Sequence, residues 1–163
     1  MLVEINNKTR SKIDLSLVKR VLANFIKWYY QQPRDLIGNK NKLKRGKKKS
    51  VMEVSIAFVG DKTIKQLNNR YRGVNRTTDV LAFASDYNSV DSTATQFLGE
   101  IIIDYQQIKR QARKYGHSVK QELLFILIHG LLHLLGYTDK TEKEKKKMEN
   151  ICQRALQEIY KRL

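Results

Sequence analysis

The chain has 163 residues, of which 41% are hydrophobic and 29% charged, so its composition is that of a globular protein rather than a disordered one. Its 32 Lys and Arg residues outnumber its 16 Asp and Glu residues and give a net charge of +16. A field of this sign attracts polyanions, so nucleic acid is the first candidate partner; a surface that is merely solvated is the alternative. The one cysteine, Cys152, excludes an intrachain disulfide and is typical of a reducing compartment, and we expect it to be a small buried residue.

The length is that of one domain, and we expect residues 1–163 to form it, because no linker or internal repeat divides them. The N-terminal segment lacks the apolar core of a signal peptide. The longest uncharged apolar stretch, residues 123–136, is too short to cross a bilayer. We therefore expect a soluble, cytoplasmic protein that is monomeric and makes no membrane contact.

Apolar residues alternate or recur at helical spacing through much of the chain and predict its strands and helices. The first of these, in chain order, are a strand at 2–5, a helix at 14–30, a strand at 51–59, a helix at 61–71 capped by Asp61, strands at 79–84 and 97–104, and a basic helix at 105–115. Residues 86–95 are polar and turn-like. Residues 34–49 are strongly basic, and we interpret them as an exposed loop that is either a phosphate-binding arm or a solvated insertion.

Two further helices are predicted from capping boxes, in which a hydroxyl side chain is followed three residues later by Gln or Glu. The pairs are Ser118 with Gln121, and Thr141 with Glu144. The first of these helices is apolar on all sides over residues 123–128, which is typical of a helix at the centre of a domain. Strands with segregated helices therefore predict an α+β domain built around one buried helix.

Two histidines on that helix, His129 and His133, have the spacing of metal ligands. Positions i and i+4 lie on one face, one turn apart, so two imidazoles can hold a single ion. Gly136 lets the chain reverse, and Asp139 follows as a candidate third ligand in the pattern H-x3-H-x5-D. The alternatives are that the histidines are hydrogen-bonded core residues and that Asp139 is an exposed turn residue.

Two nitrogens and one carboxylate with an open position favour catalytic zinc, while nickel, manganese and iron remain alternatives. The residue after His129 is Gly130, whereas a peptidase of the HExxH type needs a glutamate there as its general base. The sequence therefore predicts a zincin-like ligand pair without peptidase machinery.

Arg72 is the candidate catalytic residue. It stands beside Gly73 in a turn predicted to precede a strand, where a fixed guanidinium group can bind a phosphate and stabilise developing charge. The alternative is that Arg72, like most arginines of this chain, is only a surface charge.

Three segments together resemble the YbeY family of bacterial endoribonucleases and ribosomal RNA maturation factors. They are HGLLHLLGY at 129–137, RGVNRTTDVLAF at 72–83 and LGEIII at 98–103, and the resemblance covers about residues 51–160. It implies a metzincin-like α+β fold with a mixed sheet packed around a metal-binding helix, a zinc-type site of three histidines, and an arginine that Arg72 matches. The implied substrates are single-stranded RNA and precursors of small-subunit ribosomal RNA near the 3′ end, and the implied setting is ribosome assembly and quality control.

The chain departs from that family pattern at position 139, where Asp139 replaces the third histidine. Aspartate can serve as a third ligand in zincin-like sites, so binding of one divalent ion, Zn²⁺ first, remains the expectation. His117 precedes the helix cap at Ser118 and is expected to pack there, with metal ligation as the alternative. The leading hypothesis is a metal-dependent endoribonuclease that acts on RNA and the small ribosomal subunit; the alternative is a non-catalytic RNA-binding assembly factor.

Overall fold

A computed structural model of the protein describes residues 1–33, 51–85 and 95–163. Within these ranges the strands are β1 (Leu2–Asn7), β2 (Val51–Val59), β3 (Val80–Ala84) and β4 (Thr95–Asp104). The helices are α1 (Leu15–Gln31), α2 (Asp61–Arg72), α3 (Tyr105–Tyr115), α4 (Val119–Leu134) and α5 (Glu142–Tyr160). The predicted basic loop at 34–49, and the predicted polar turn at 86–95 except for its last residue, lie outside the described residues.

The four strands form one mixed sheet in the order β1-β2-β4-β3. β2 is parallel to both β1 and β4, and β3 is antiparallel to β4. Because side chains alternate across a strand, Ile56 and its partner Ile101 face one side of the sheet, while Ala57 and Ile102 face the other. The prediction of an α+β fold with a mixed sheet is confirmed.

Two apolar layers result from that alternation. The larger layer lies between the sheet and helices α1, α4 and α5, and the smaller one lies under α2, where Ile64 is fully buried. Cys152 on α5 is fully buried in the larger layer, and burial raises the pKa of its thiol to about 12. Its predicted role as a small buried residue is therefore confirmed.

Helix α4 is the buried helix that the sequence predicts. Its N-terminus carries the capping box of Ser118 and Gln121, and apolar residues surround it on all sides. Gly130 faces the sheet so closely that a Cβ atom added there would lie 2.9 Å from Ile101 Cγ2. A glutamate after His129 would therefore have to displace Ile101, so the packing disfavours a peptidase base at this position.

The structure corrects two local predictions. Gly60, not Asp61, is the N-cap of α2; Asp61 is the first helical residue and pairs with Arg110 instead. Arg72 is not in a turn but is the last residue of α2, followed by Gly73 with φ 69°. Both differences have one cause, which is that α2 includes one more residue at each end than the sequence predicts. The helix ends at Arg72 because Gly73 adopts the left-handed conformation. No helix within the described ranges is long and apolar enough to cross a membrane.

Candidate metal centre

His129 and His133 lie on one face of α4, near its C-terminal end, as their spacing predicts. Their Nε2 atoms are 3.0 Å apart, and their rings are 4.6 Å apart in an edge-on arrangement. The side chains are 18% and 21% exposed, so an ion can reach them from one side while the rest of each ring is held in protein.

The second nitrogen of each ring is in a different environment. His133 Nδ1 lies 3.0 Å from the carbonyl oxygen of Tyr137 and donates to it, which places the proton on Nδ1 and a lone pair on Nε2. His129 Nδ1 is buried and has no hydrogen-bond partner among the described residues. Burial lowers the pKa of His129, and the neighbouring His133 lowers that pKa further, so His129 is held as the neutral imidazole that metals bind.

Asp139 is positioned by the chain reversal that follows α4. Gly136 adopts φ 91°, and the Tyr137 amide donates to the carbonyl of Leu132 at 3.0 Å, which closes the helix end. Tyr137 is anchored through its hydroxyl, 2.9 Å from that of Tyr29, and the Thr138 hydroxyl donates to Glu144 at 2.8 Å. The two residues just before Asp139 are therefore fixed by contacts with α1 and α5.

The Asp139 carboxylate approaches both imidazoles. Its Oδ2 lies 3.8 Å from His129 Nε2 and 3.9 Å from His133 Nε2. The three residues form a group whose ligand atoms all lie within 4.8 Å of one another. The structure thus brings together the three residues that the sequence predicts as ligands.

These separations fit a bound divalent ion. Ligand atoms about 2.0–2.1 Å from a tetrahedral ion lie about 3.3 Å from each other, and the observed separations of 3.0, 3.8 and 3.9 Å lie around that value. Nε2, and not the buried Nδ1, is the His129 atom that faces the other two candidate ligands. The donor set is two nitrogens and one oxygen, which leaves a further position open.

The open side of the three ligands faces a cavity of about 390 Å³. Its walls include two positive side chains, Arg72 and Lys140, together with Thr78 and Asp79. Arg72 therefore borders the same space as the three candidate ligands, although it lies far from them in the sequence. Its side chain has no ion pair within the described part of the chain, so its charge is available to an anion.

Asp79 is a residue of this site that the sequence pattern does not single out. Its Oδ1 accepts from the Val80 amide at 2.8 Å and its Oδ2 accepts from Gln111 Nε2 at 3.0 Å, so the carboxylate is fixed at the cavity wall. Its charge raises the pKa of His129, opposing the effect of burial. The sequence signals were its place at the start of a predicted strand and within the family-like segment 72–83, and neither gives its distance from the histidines.

His117 lies outside this group. Its Nδ1 is 3.2 Å from Oε2 of Glu122, in the first turn of α4, and among the described residues His117 belongs to no group that could hold a metal ion. It packs at the start of α4, as expected from its position before Ser118.

Comparison with known proteins identifies the family. The sequence profile described as Endoribonuclease YbeY matches residues 5–160. The chain belongs to the YbeY endoribonuclease family. A relative from Heliobacterium modesticaldum named Endoribonuclease YbeY is 40% identical over 112 residues, which cover 64% of this chain and 68% of that protein. One from Thermodesulfovibrio yellowstonii with the same name is 34% identical over 163 residues, covering 96% of each.

A solved structure supports the fold. The solution structure of TM1509 from Thermotoga maritima matches with a TM-score of 0.55 and 22% identity, over 99% of this chain and 93% of that one. At this identity the likeness concerns the fold alone. The YbeY resemblance carried by the histidine and arginine segments is thus confirmed by the family match, independently of the site geometry.

Proposed function

We propose that this chain is a metal-dependent endoribonuclease that cleaves single-stranded RNA. The observation that carries the proposal is the convergence of His129, His133 and Asp139 on one cavity that Arg72 also lines, in a member of the YbeY family. An open coordination position beside an arginine suits a phosphodiester, whose negative charge increases as its bond breaks.

His129, His133 and Asp139 would hold the ion, and Zn²⁺ is our first choice because two nitrogens and one carboxylate form a common catalytic zinc set. When bound, such an ion supplies Lewis-acid chemistry at a phosphate and lowers the pKa of a coordinated water. The protein's own contribution is rigidity: the Tyr137 carbonyl fixes the ring of His133, and the hydrogen bond from Thr138 to Glu144 fixes the backbone just before Asp139.

Arg72 would bind the non-bridging oxygens of the scissile phosphate. It stands at the C-terminal end of α2, and its planar guanidinium group can donate two parallel hydrogen bonds to a phosphate. Lys140, the residue after Asp139, adds a second positive charge to the same cavity. The net charge of +16 would draw RNA to this surface, and the basic residues 34–49 remain a predicted phosphate-binding arm.

We place this activity in the maturation of small-subunit ribosomal RNA at its 3′ end and in ribosome quality control, in the cytoplasm. The support is the YbeY family membership and the excess of positive charge, which suits a partner as large and anionic as the small ribosomal subunit. Cells depleted of the protein should accumulate small-subunit RNA with unprocessed 3′ ends.

A second candidate is a non-catalytic RNA-binding assembly factor. The observation that favours it is Asp139, which stands where the family resemblance places a histidine. An altered third ligand that no longer held an ion would leave the basic surface intact and remove the chemistry.

The test combines elemental analysis of the purified protein with cleavage of end-labelled RNA. We expect a stoichiometric divalent ion, cleavage of single-stranded RNA but not of a matched duplex, loss of cleavage with a chelator, and recovery when zinc is restored. RNA binding without chelator-sensitive cleavage would contradict the proposal and assign the assembly-factor role instead.

A further inference from the structure

A second cavity adjoins the one that the metal ligands face. It also measures about 390 Å³ and lies between the end of α2, the loop that leads to β3, and the first turns of α3. The two cavities share three wall residues, Arg72, Thr78 and Asp79. They are therefore neighbouring cavities, with Arg72 at the boundary between them.

The wall of this second cavity is polar almost throughout. Apart from Val74, the side chains that line it in the described part of the chain are two arginines, three amides, two hydroxyls and one carboxylate. They include Arg72, Arg76, Asn68, Gln111 and Asp79. The arginines outnumber the carboxylate by one, so an anion is favoured. A volume of this size holds a small organic ligand, and amides with hydroxyls form hydrogen bonds to the edge of a nucleobase.

Several of these groups are held in place before any ligand binds. Asn68 is only 4% exposed and donates through Nδ2 to the carbonyl of Arg76 at 2.8 Å, which ties the loop to α2. Gln111 donates through Nε2 to Asp79, but its Oε1 is a buried acceptor with no donor among the described residues. A buried acceptor without a donor costs free energy, and a ligand that donates a hydrogen bond would recover it.

We propose that this second cavity binds the nucleotide next to the scissile phosphate, an inference that rests on the proposed ribonuclease function. Arg72 would contact the scissile phosphate at the boundary, and Arg76 would contact the next phosphate along the strand. The nucleobase would lie against Gln111, Asp79 and Asn68.

The groups on the wall also select the base. Gln111 Oε1 and the Asp79 carboxylate are both acceptors. The exocyclic amino group of cytosine carries two N–H donors, one for each acceptor, whereas uracil has a carbonyl oxygen at that position and only its single N3–H to donate. The cavity therefore prefers cytosine to uracil. The comparison is clean because the two pyrimidines have the same size, so the difference comes from the hydrogen-bonding edge.

The test measures binding of cytidine 3′,5′-bisphosphate and uridine 3′,5′-bisphosphate to the intact, metal-loaded protein by calorimetry. These nucleotides carry both flanking phosphates and contain no internucleotide bond, so cleavage does not interfere. We expect the cytidine compound to bind about fivefold more tightly, the effect of roughly one hydrogen bond. Equal binding of the two compounds would overturn the proposal.

Two variants with matched controls locate the effect. Gln111→Leu should reduce the preference to less than about twofold, whereas Gln106→Leu, an exposed amide on the same helix, should preserve it. Arg76→Ala should weaken both compounds by a similar factor of about three to ten and keep their ratio, whereas Arg70→Ala, an exposed arginine outside the cavity, should change neither. A preference that survives Gln111→Leu would remove the base from this cavity.

The outcomes separate this inference from the proposed function. If RNA is cleaved in a chelator-sensitive way but the preference is absent, the subsite is wrong and the ribonuclease stands. If no RNA is cleaved but Gln111→Leu abolishes a cytidine preference, the cavity is a nucleotide site in a protein without the proposed activity.

Discussion

Two groups of ionisable side chains in this molecule differ in whether they include a positively charged side chain. His129, His133 and Asp139 direct one ligand atom each into a cavity, and no cation of the described chain stands between them. At the start of α3, Asp61 and Asp104 share Arg110, which binds Asp61 at 2.6 and 3.0 Å and lies 3.7 Å from Asp104. The second group contains its own cation, whereas the first has none among the described residues.

One observation distinguishes the candidate metal site from the group around Arg110. Each group has one buried atom without a hydrogen-bond partner among the described residues, His129 Nδ1 in the first and Asp104 Oδ2 in the second. That feature alone therefore does not distinguish them. Asp104 caps α3 by accepting from the amides of Gln106 and Gln107, which is a structural role. The groups differ in their surroundings. The three ligand atoms of the first group converge on a cavity with no cation of the described chain between them, whereas Arg110 lies against both carboxylates of the second group.

The largest effect on metal binding is expected when one imidazole is removed. His129→Ala leaves two ligands and should weaken metal binding by more than about 100-fold, since even supporting residues around metal ligands contribute 10- to 100-fold. His117→Ala is the matched control, because His117 pairs with Glu122 away from the site. Elemental analysis after dialysis checks both variants. Equal metal content in the two would show that the ion binds elsewhere.

The next largest effect is expected at Arg72, where a lysine substitution distinguishes the role of the planar guanidinium group from that of the positive charge alone. Arg72→Lys keeps the positive charge and loses the planar pair of donors, so kcat should fall about 100-fold with little change in thermal stability. Arg70→Lys, on the exposed side of the same helix, serves as the control. Cleavage of single-stranded RNA at the parent rate by the Arg72 variant would remove its bidentate role.

Local sequence signals predicted the parts of this site that depend on neighbouring residues. The capping box at Ser118, the apolar helix that follows it and the i, i+4 histidines were all readable, because each depends on spacing within a few turns. The helix reversal at Gly136 also made Asp139 a reasonable third ligand. The sequence alone therefore predicts all three candidate ligands.

Tertiary proximity could not be read in the same way. Asp79 reaches the cavity because β3 pairs with β4 at the edge of the sheet and Gln111 of α3 holds its carboxylate. The alternation of apolar residues predicts a strand there but not its neighbour in the sheet. The order β1-β2-β4-β3, and with it the cavity shared by Arg72 and Asp79, follows from packing that no local pattern encodes.

The acidic group at α3 gives a prediction with a pH signature. Burial, followed by the nearby Asp61 carboxylate, raises the pKa of Asp104 to about 6. A carboxyl group with a raised pKa stabilises the fold most below its unfolded pKa of about 3.9 and loses that contribution as pH rises through about 6. The contribution of Asp104 to the free energy of unfolding should therefore fall by about 2 kcal/mol between pH 4 and 7.

Urea unfolding of the parent and of Asp104→Asn across this pH range checks that fall. The asparagine keeps an oxygen for the helix cap and cannot ionise, so the difference between the two proteins should shrink or reverse as pH rises. Glu158→Gln, which changes an exposed carboxylate on α5, should leave the fall in place. A pH dependence identical in parent and Asp104→Asn would mean that Asp104 titrates normally and that Arg110 fully compensates its burial.

The smallest expected effect concerns Asp139, the candidate third ligand. Asp139→His replaces an oxygen donor with a nitrogen donor and removes one negative charge from the group that binds the ion. The fixed loop around Tyr137 and Thr138 should survive, because neither anchor involves the Asp139 side chain. A less neutralised ion is a stronger Lewis acid, so a coordinated water should ionise at lower pH. The variant should therefore reach half-maximal cleavage at a lower pH, by about half a unit to one unit, and should favour zinc over manganese more strongly than the parent does.

Asp139→Asn, which removes the charge but keeps an oxygen, is the control that separates charge from donor type: it should shift the pH profile without the gain in zinc preference. If Asp139→His and Asp139→Asn both retain the metal content, the metal preference and the pH profile of the parent, Asp139 is not a ligand, and the group at the end of α4 has only its two histidines to hold an ion.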